Sequence, residues 1–542
     1  MATRIRLRPW QHQALEKFNA SEQDDFLAVA TPGAGKTTFA LTAATQFLAS
    51  NPGRRLVVVA PTQHLKSQWA DAAARFRLHL DPNWSPREGE LPGDLHGLVT
   101  TYQQVATSAS TLAPLAAGAF VVFDEIHHAG DDRAWGTAIS AAFGGAQKRL
   151  SLSGTPFRSD TTPIPFVRYH LDEAQSDFDY GYGEALADRG VVRPLFFPRI
   201  GGFMEWVAPD GTQVAATFED DLTREQANQR LRTALSLEGE WMPTVLAQAN
   251  ERLQALRLSH PEAGGLVIAM DQEHANGIAG LLRSQGTKAV VAVSDDPDAS
   301  DRIARFSEGT EPWIVAVRMV SEGVDIPRLR IGVYATNTST ELFFRQAMGR
   351  LVRWTRGVPR QRAWCFLPDD PRLRSHADSI ATQRRHSLAR RRERDEEREG
   401  DFDAPDTGDG DEQMSMFAVI GAVAQHEPST AEGVFADDDE DGDGDGADDA
   451  GVDLELRAPP TPDGSVSDTE DEFAQTPRRR RAELRDRNAA LARDLARRTN
   501  MTHAQVNREL NRLSGVTRIS EATEAQLQRR LDQANAWSRR IR

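Results

Sequence analysis

FLAVATPGAGKTTFALTAATQFL, Phe26 to Leu48, is the stretch whose reading decides the fold. Its first five residues are apolar without alternation, the pattern of a strand buried on both faces of a parallel sheet. Its last ten read as a helix. Between them lies a turn with two glycines and a lysine, built to close backbone N–H groups around a phosphate. Gly33 and Gly35 permit the tight approach. Lys36 neutralises β/γ-phosphate charge, the Thr37 hydroxyl is a Mg²⁺ ligand, and the helix presents its N-terminus to the anion. Thr31, Pro32, Ala34 and Thr38 complete the loop, which has alanine where the general pattern has its first glycine.

Working outward, FVVFDEIHH (Phe120 to His128) repeats the logic: four apolar residues end in adjacent carboxylates. In open α/β sheets ligands lie beyond the carboxyl ends of the strands. Asp124 suits Mg²⁺, through its water shell, and Glu125 suits the water that attacks a γ-phosphate. RLVVVA, GLVTT and RLSLSG supply further strands of the first series. GLVIAM, AVVAVS, WIVAVR, RIGVYAT and AWCFLP supply a second series after a helical region near Leu222 to Leu258. Two such series predict two α/β domains in tandem, each a parallel sheet covered by helices.

The 542 residues fit several domains. The formal net charge of −16 argues against a nucleic-acid partner only until it is divided by segment. Much of the acidity lies in Asp401 to Glu472, which predicts a disordered tether. The C-terminal end is basic and helical, with Leu484, Leu491 and Leu495, then Val506, Leu510 and Leu513, at helical spacing. The single cysteine, Cys365, sits in a strand-like apolar run and excludes an internal disulfide or a cysteine-based zinc cluster. MATRIRLRPWQHQ has no signal-peptide core, and no run approaches a membrane span. The expectation is a cytoplasmic protein without membrane contact.

Eight segments in this order resemble the superfamily 2 DExH-box helicases: Arg8-Pro9-Trp10-Gln11, the phosphate loop, Ala60 to Trp69, Thr100 to Val105, Asp124 to His127, Ser153 to Pro156, Val317 to Pro327 and Phe344 to Trp354. The LRPWQ opening and DEIHH box are more similar to the restriction-motor and DNA-repair branch, including type III restriction helicase subunits, than to DEAD-box RNA helicases. The likeness spans roughly Leu7 to Pro368.

The resemblance implies two RecA-like domains and an ATP- and Mg²⁺-dependent motor on nucleic acid, DNA favoured, with 3′→5′ polarity. Gln11 would read the adenine edge, and Gly323 and Asp325 would lie near the ribose or bound strand. Gln346, Arg350 and Arg353 would report on and stabilise the γ-phosphoryl group. Arg350 and Arg353, one helical turn apart, are read as sharing a helix face. RNA as substrate, or translocation within a larger complex without strand separation, stay open as alternatives.

The expected divisions are 1–198 and 259–373 for the two lobes, 199–258 for a helical segment between them and 374–400 for a basic helical extension. An acidic linker follows at 401–476 and a basic helical module at 477–542, joined flexibly and able to bind a protein partner. Within the linker, MSMFAVIGAV (Met414 to Val423) reads either as a docking segment or as a sticky stretch of tether. The Asp/Gly run at Asp437 to Asp449 lacks the terminal glutamate of a calcium loop. Arg478 to Arg481 read equally as a phosphate grip or a charged helix start, and Trp537 as a base-stacking or helix-packing residue.

Overall fold

The structure, a computed structural model, describes residues 2–86, 90–130, 133–154, 163–170, 173–188, 190–209, 211–293, 299–317, 326–355, 357–359, 361–400, 451–464, 477–499, 501–516, 519 and 522–540. Two compact units form, Met1–Gly181 with Asp449–Arg542, and Tyr182–Met319 with Ile326–Asp448.

The first unit opens with β1 (Ala2–Leu7), α1 (Pro9–Ala20), β2 (Asp25–Ala30), α2 (Lys36–Ser50), β3 (Leu56–Ala60), α3 (Gln63–Arg75) and β4 (Leu80–Asp81). There follow β5 (Gly97–Thr101), α4 (Tyr102–Ala116), β6 (Phe120–Phe123), α5 (Arg133–Phe143), β7 (Lys148–Ser153), the short pair β8 (Tyr169–His170) and β9 (Glu173–Ala174), and β10 (Phe178–Tyr180). Seven of these strands make one parallel sheet in the order β10-β2-β7-β6-β3-β5-β4. The five apolar runs of the first series are its central strands, buried on both faces because helices cover both. Val57, Val59, Leu98, Val121 and Phe123 form the core with Ile139 and Phe143 of α5.

The second unit contains α6 (Tyr182–Ala187), β11 (Leu195–Phe196), β12 (Arg199–Ile200), the antiparallel hairpin β13 (Phe203–Val207) and β14 (Gln213–Thr217), α7 (Arg224–Ala234) and α8 (Trp241–Ser259). Its sheet is completed by β15 (Gly264–Ala269), α9 (Gln272–Ser284), β16 (Ala289–Ala292), α10 (Ala299–Glu308), β17 (Trp313–Val317), β18 (Leu329–Ala335), α11 (Glu341–Leu351), β19 (Ala363–Pro368) and α12 (Pro371–Gly400). The order is β11-β19-β18-β15-β17-β16, again parallel, with β12 also on β19. The two RecA-like parallel-sheet domains thus follow one another in the chain. Cys365 is buried in β19, and burial pushes its thiol pKa up.

The chain then returns to the first unit through β20 (Val452–Arg457), α13 (Pro477–Thr499), α14 (His503–Ser514) and α15 (Glu524–Arg540). β20 pairs antiparallel with β1 over six residue pairs, from Ala2↔Arg457 to Leu7↔Val452. The expected flexible tether through 476 is therefore corrected at β20, whose Asp453 and Glu455 lie among Arg4 and Arg6 of the partner strand. The helical module is also not loosely joined. Asp94 pairs with Arg481, and its carboxylate accepts the backbone N–H of Glu524 at the start of α15. Residues 401–450, with MSMFAVIGAV and the Asp/Gly run, lie outside the described residues. So do Arg478 and Arg479 as side chains. Trp537 packs against the Ala492, Leu495 and Leu510 cluster of the bundle. Among the described residues no helix is long and apolar enough to cross a membrane.

Candidate nucleotide site and its relatives

The phosphate loop leaves β2 and enters α2 with Gly33 at φ +84° and Gly35 at φ +96°. A Cβ on Gly35 would come within 2.7 Å of Gln11 Nε2, so both conformation and space require glycine there. The start of α1 holds the outside of the loop. Arg8 Nη1 donates to the carbonyls of Gly33 (3.1 Å) and Ala34 (2.8 Å), Trp10 Nε1 to Ala34 (3.1 Å), and Gln11 Nε2 to Gly35 (2.8 Å). Thr31 N–H donates to Tyr180 of β10, whose ring stacks on Trp10 at 5.0 Å. Thr37 and Thr38 sit half-buried in the first turn of α2.

Across the loop, Lys36 Nζ donates to Glu125 Oε1 at 2.6 Å, and Glu125 Oε2 accepts the Gly154 N–H at 2.8 Å. His127 Nδ1 lies 3.7 Å from the same oxygen and 3.3 Å from Ser153 Oγ. Glu125 has φ +47°, unusual for a residue with a side chain. Such a backbone costs about 1–3 kcal/mol and persists only where its surroundings hold it. Here Lys36 and Gly154 grip the carboxylate.

Asp124 is held differently. Trp69 Nε1 of α3 donates to Asp124 Oδ2 at 2.8 Å, and Tyr102 OH of α4 donates to the Asp124 carbonyl at 2.9 Å. Burial, then the adjacent Glu125 charge, raises the Asp124 pKa to about 6 against the opposing pull of Lys36 and Trp69. Burial pushes Glu125 the same way, but Lys36 and His127 overcome it and bring it down to about 2. Two carboxylates thus share one lysine in a partly buried site, an excess of negative charge that a divalent cation would relieve. One carboxylate and one hydroxyl beside bound phosphates is a donor set that suits Mg²⁺, so Asp124 and Thr37 fit that ion.

Beside this cluster, at the ends of β3 and β5, a cavity of about 400 Å³ is lined by Gln63, Lys66, Trp84, Thr101 and Gln104. Lys66 is buried, donates to Gln104 Oε1 at 3.2 Å, and has its pKa lowered by burial.

In the second unit Gln346 and Arg350 lie on α11, half-buried. Arg353 corrects the expectation of a shared helix face. The helix ends at Leu351, and Arg353 instead forms a β-bridge with Val192. The backbone turns because Arg193 N–H donates to the Val352 carbonyl. Arg193 itself is buried and donates to the carbonyls of Pro327 and Leu329 and to Thr355 Oγ1, joining the ends of the Val317 to Pro327 and Phe344 to Trp354 segments. Gly323 and Asp325 lie outside the described residues, as do Thr155 and Pro156.

Trp69, Tyr102, Arg8 and Arg193 were not singled out by sequence reasoning. The first three stand inside or beside quoted motifs, and aromatic or arginine residues at those positions were the available signal.

Residues 4–158 match the family model described as type III restriction enzyme, res subunit. The DNA 3′-5′ translocase XPB2 of Sulfurisphaera tokodaii is 23% identical over 393 residues, covering 65% of this chain and 79% of the relative. The chain belongs to the superfamily 2 helicase family. This family member is 48% identical over 392 residues to an uncharacterized protein of Mycobacterium tuberculosis, covering 71% of the chain and 65% of the relative. It thus spans 65% of that relative's length. An uncharacterized protein of Mycobacterium leprae is 45% identical over 437 residues, covering 79% of the chain and 73% of the relative. Among solved structures, the HsdR-subunit fragment of a type I restriction enzyme from Vibrio vulnificus aligns with a TM-score of 0.48 at 16% identity, covering 68% of this chain and 65% of that one.

Proposed function

We propose that this superfamily 2 protein hydrolyses ATP and couples hydrolysis to movement along a DNA strand. The observation that carries the reading is the cluster of Lys36, Glu125 and Asp124 facing a phosphate loop whose Gly33, Ala34 and Gly35 carbonyls are tied back by Arg8, Trp10 and Gln11. With those carbonyls occupied, the loop's N–H groups other than those of Thr31 and Ala34, which donate to Tyr180 and Thr31, are left to the phosphates. Lys36 offsets β/γ charge. Glu125, ionised throughout the neutral range, accepts a proton from the attacking water and orients it. Asp124 and Thr37 would hold Mg²⁺, which when bound would neutralise charge on the phosphate oxygens. Arg350 and Arg353 add positive charge to the developing γ-phosphoryl group, with Gln346 reporting nucleotide state and Gln11 reading the base. Gly323 and Asp325 are assigned to the ribose or strand.

DNA is preferred because the translocase relative acts on DNA. The Lys66 cavity, between the Ala60 to Trp69 and Thr100 to Val105 segments, suits a backbone phosphate and implies weak sequence preference with steep salt dependence. The test is ATP turnover by wild type and Lys36→Ala with single-stranded DNA, duplex DNA and RNA as activators. The reading expects DNA-stimulated turnover in wild type alone; equal turnover in both proteins overturns it. Stimulation by RNA alone moves the substrate to RNA.

A second reading, translocation without strand separation, is favoured by the same relative, which is described as a translocase. It predicts DNA-dependent ATP turnover with no strand released in a displacement assay.

A further inference from the structure

β1 lies outside the seven-stranded sheet, and its strand pairing among the described residues is with β20. It also ends at Leu7, one residue before Arg8, which donates to two consecutive carbonyls of the phosphate loop. Trp10 and Gln11 follow within the first turn of α1. A strand with no partner leaves its backbone groups to water and frays. The pairing with β20 is therefore what fixes the chain direction at which Arg8 leaves β1.

β20 is itself seated. Leu456 is buried, and the strand lies against α2, the helix that begins at Lys36. A groove of about 620 Å³ is lined by part of α2 and by Glu455, Leu456 and Arg457. Gly451, just before the strand, is so close to β1 that a Cβ there would stand 2.6 Å from Arg6 Nε and 3.1 Å from the Leu7 carbonyl.

Farther along, the Pro459 carbonyl contacts His96 Nε2 at 3.1 Å, and Asp463 N–H donates to the Gly93 carbonyl at 3.0 Å. Asp94 then takes both Arg481 and the N-terminus of α15, where a carboxylate is favoured by the exposed N–H groups and helix dipole. The loop that offers Gly93, Asp94 and His96 is held by Arg55, which donates to the carbonyls of Leu91, Pro92 and Leu95. The described parts of the C-terminal segment thus meet the nucleotide lobe at a series of contacts from Leu7 to Asp94.

We propose that the segment from Gly451 onward is a positioning element of the nucleotide pocket: β20 clamps β1, and through Arg8, Trp10 and Gln11 sets the shape of the phosphate loop. Nucleotide affinity then depends on whether the C-terminal segment is docked, and a partner that draws the helical bundle away lowers it. The inference rests on the reading of this pocket as a nucleotide site.

The experiment titrates fluorescently labelled ADP into the full chain and into Leu456→Asp, Arg8→Ala and the double variant, with hydrogen exchange at residues 2–7 recording whether β1 is released. Burying a charge at 456 detaches β20, and the loss of the loop's donors weakens ADP binding by about tenfold in each single variant. Because both act through one chain of contacts, the double variant binds no more weakly than the poorer single one. Leu456→Met keeps wild-type affinity. Should Leu456→Asp not fold, Gly451→Val, which crowds Arg6 and the Leu7 carbonyl, replaces it with the same expected direction. Rapid exchange in β1 with unchanged ADP affinity, or losses that multiply in the double variant, overturns the clamp. A wild-type chain that binds no ADP overturns the nucleotide reading itself, a separate failure.

Discussion

Trp69 gives its indole N–H to Asp124 Oδ2, so the helix after β3 is tied directly to the carboxylate after β6. Tyr102 ties α4 to the same residue through the Asp124 carbonyl. Both helices line the Lys66 cavity proposed to take a backbone phosphate, so on that proposal a strand that shifts either one acts without an intermediary on the carboxylate proposed to hold Mg²⁺.

Trp69→Phe keeps the ring and removes the donor. A hydrogen bond to a charged group is worth roughly 2 kcal/mol, enough to lower Mg²⁺-dependent turnover by more than tenfold. The variant also loses one influence that holds the Asp124 pKa down, so the acid limb of the pH–rate profile moves to higher pH. A profile and rate indistinguishable from wild type would show the bond to be passive.

Asp124→Asn should make the protein more stable and inactive together. The Asp124 pKa is raised from 3.8 to about 6 in the folded chain, so ionisation at neutral pH opposes folding by up to about 3 kcal/mol. The amide oxygen can still accept from Trp69. The gain in melting temperature is full above pH 6, shrinks as pH falls, and vanishes near pH 4, where the unfolded carboxyl also holds its proton. Thermal unfolding between pH 4 and 8 measures it.

Lys36→Met leaves Glu125 with the Gly154 N–H but without its cation. Glu125 is depressed below its ordinary value by that lysine, after burial has pushed it upward. The pair's stabilisation, roughly 1–3 kcal/mol, is present above pH 4.5 and is lost as pH falls toward 2. The wild-type advantage in denaturant midpoint should therefore shrink on acidification in two stages, near pH 6, where Asp124, also held down by Lys36, takes up its proton, and again below pH 4.5. An advantage that grows on acidification contradicts the assignment.

Arg530 is fully buried in the helical bundle and donates to three asparagine oxygens, Asn488 of α13 and Asn507 and Asn511 of α14. Burial lowers its pKa. Arg530→Met strands these amides and should loosen the bundle by about 2–4 kcal/mol, read as faster hydrogen exchange across α13 to α15. Arg530→Lys should restore little, because a single ammonium cannot span three acceptors placed for a planar fork.

The sheets were legible because parallel strands covered on both faces leave uninterrupted apolar runs, and each of the ten runs became a strand of one of the two sheets, nine of them inside and β16 at an edge. Strands β4, β10, β11 and β12 were not legible. They have two or three residues and a mixed composition, and pairing at the sheet edge alone defines them. The β1–β20 ladder escaped for another reason. ATRIRL and VDLELR alternate like ordinary exposed segments, and only the opposition of Arg4 and Arg6 to Asp453 and Glu455 signals a partner. In the site, the phosphate loop and the carboxylates were legible from local spacing. Trp69 acts across 55 positions and Arg8 across 25, which no local pattern records. The shared helix face assumed for Arg350 and Arg353 failed because spacing does not reveal where a helix stops.

Arg4 and Asp453, joined across the β1–β20 ladder, are 449 positions apart. On a ribosome, the first strand of the first unit therefore waits unpaired while the whole second unit is synthesised. The entropy of closing so long a loop rises only slowly with its length, so the delay is one of time more than of free energy. During that interval a nascent chain carries a bare strand edge, the kind of exposed template on which incomplete chains aggregate.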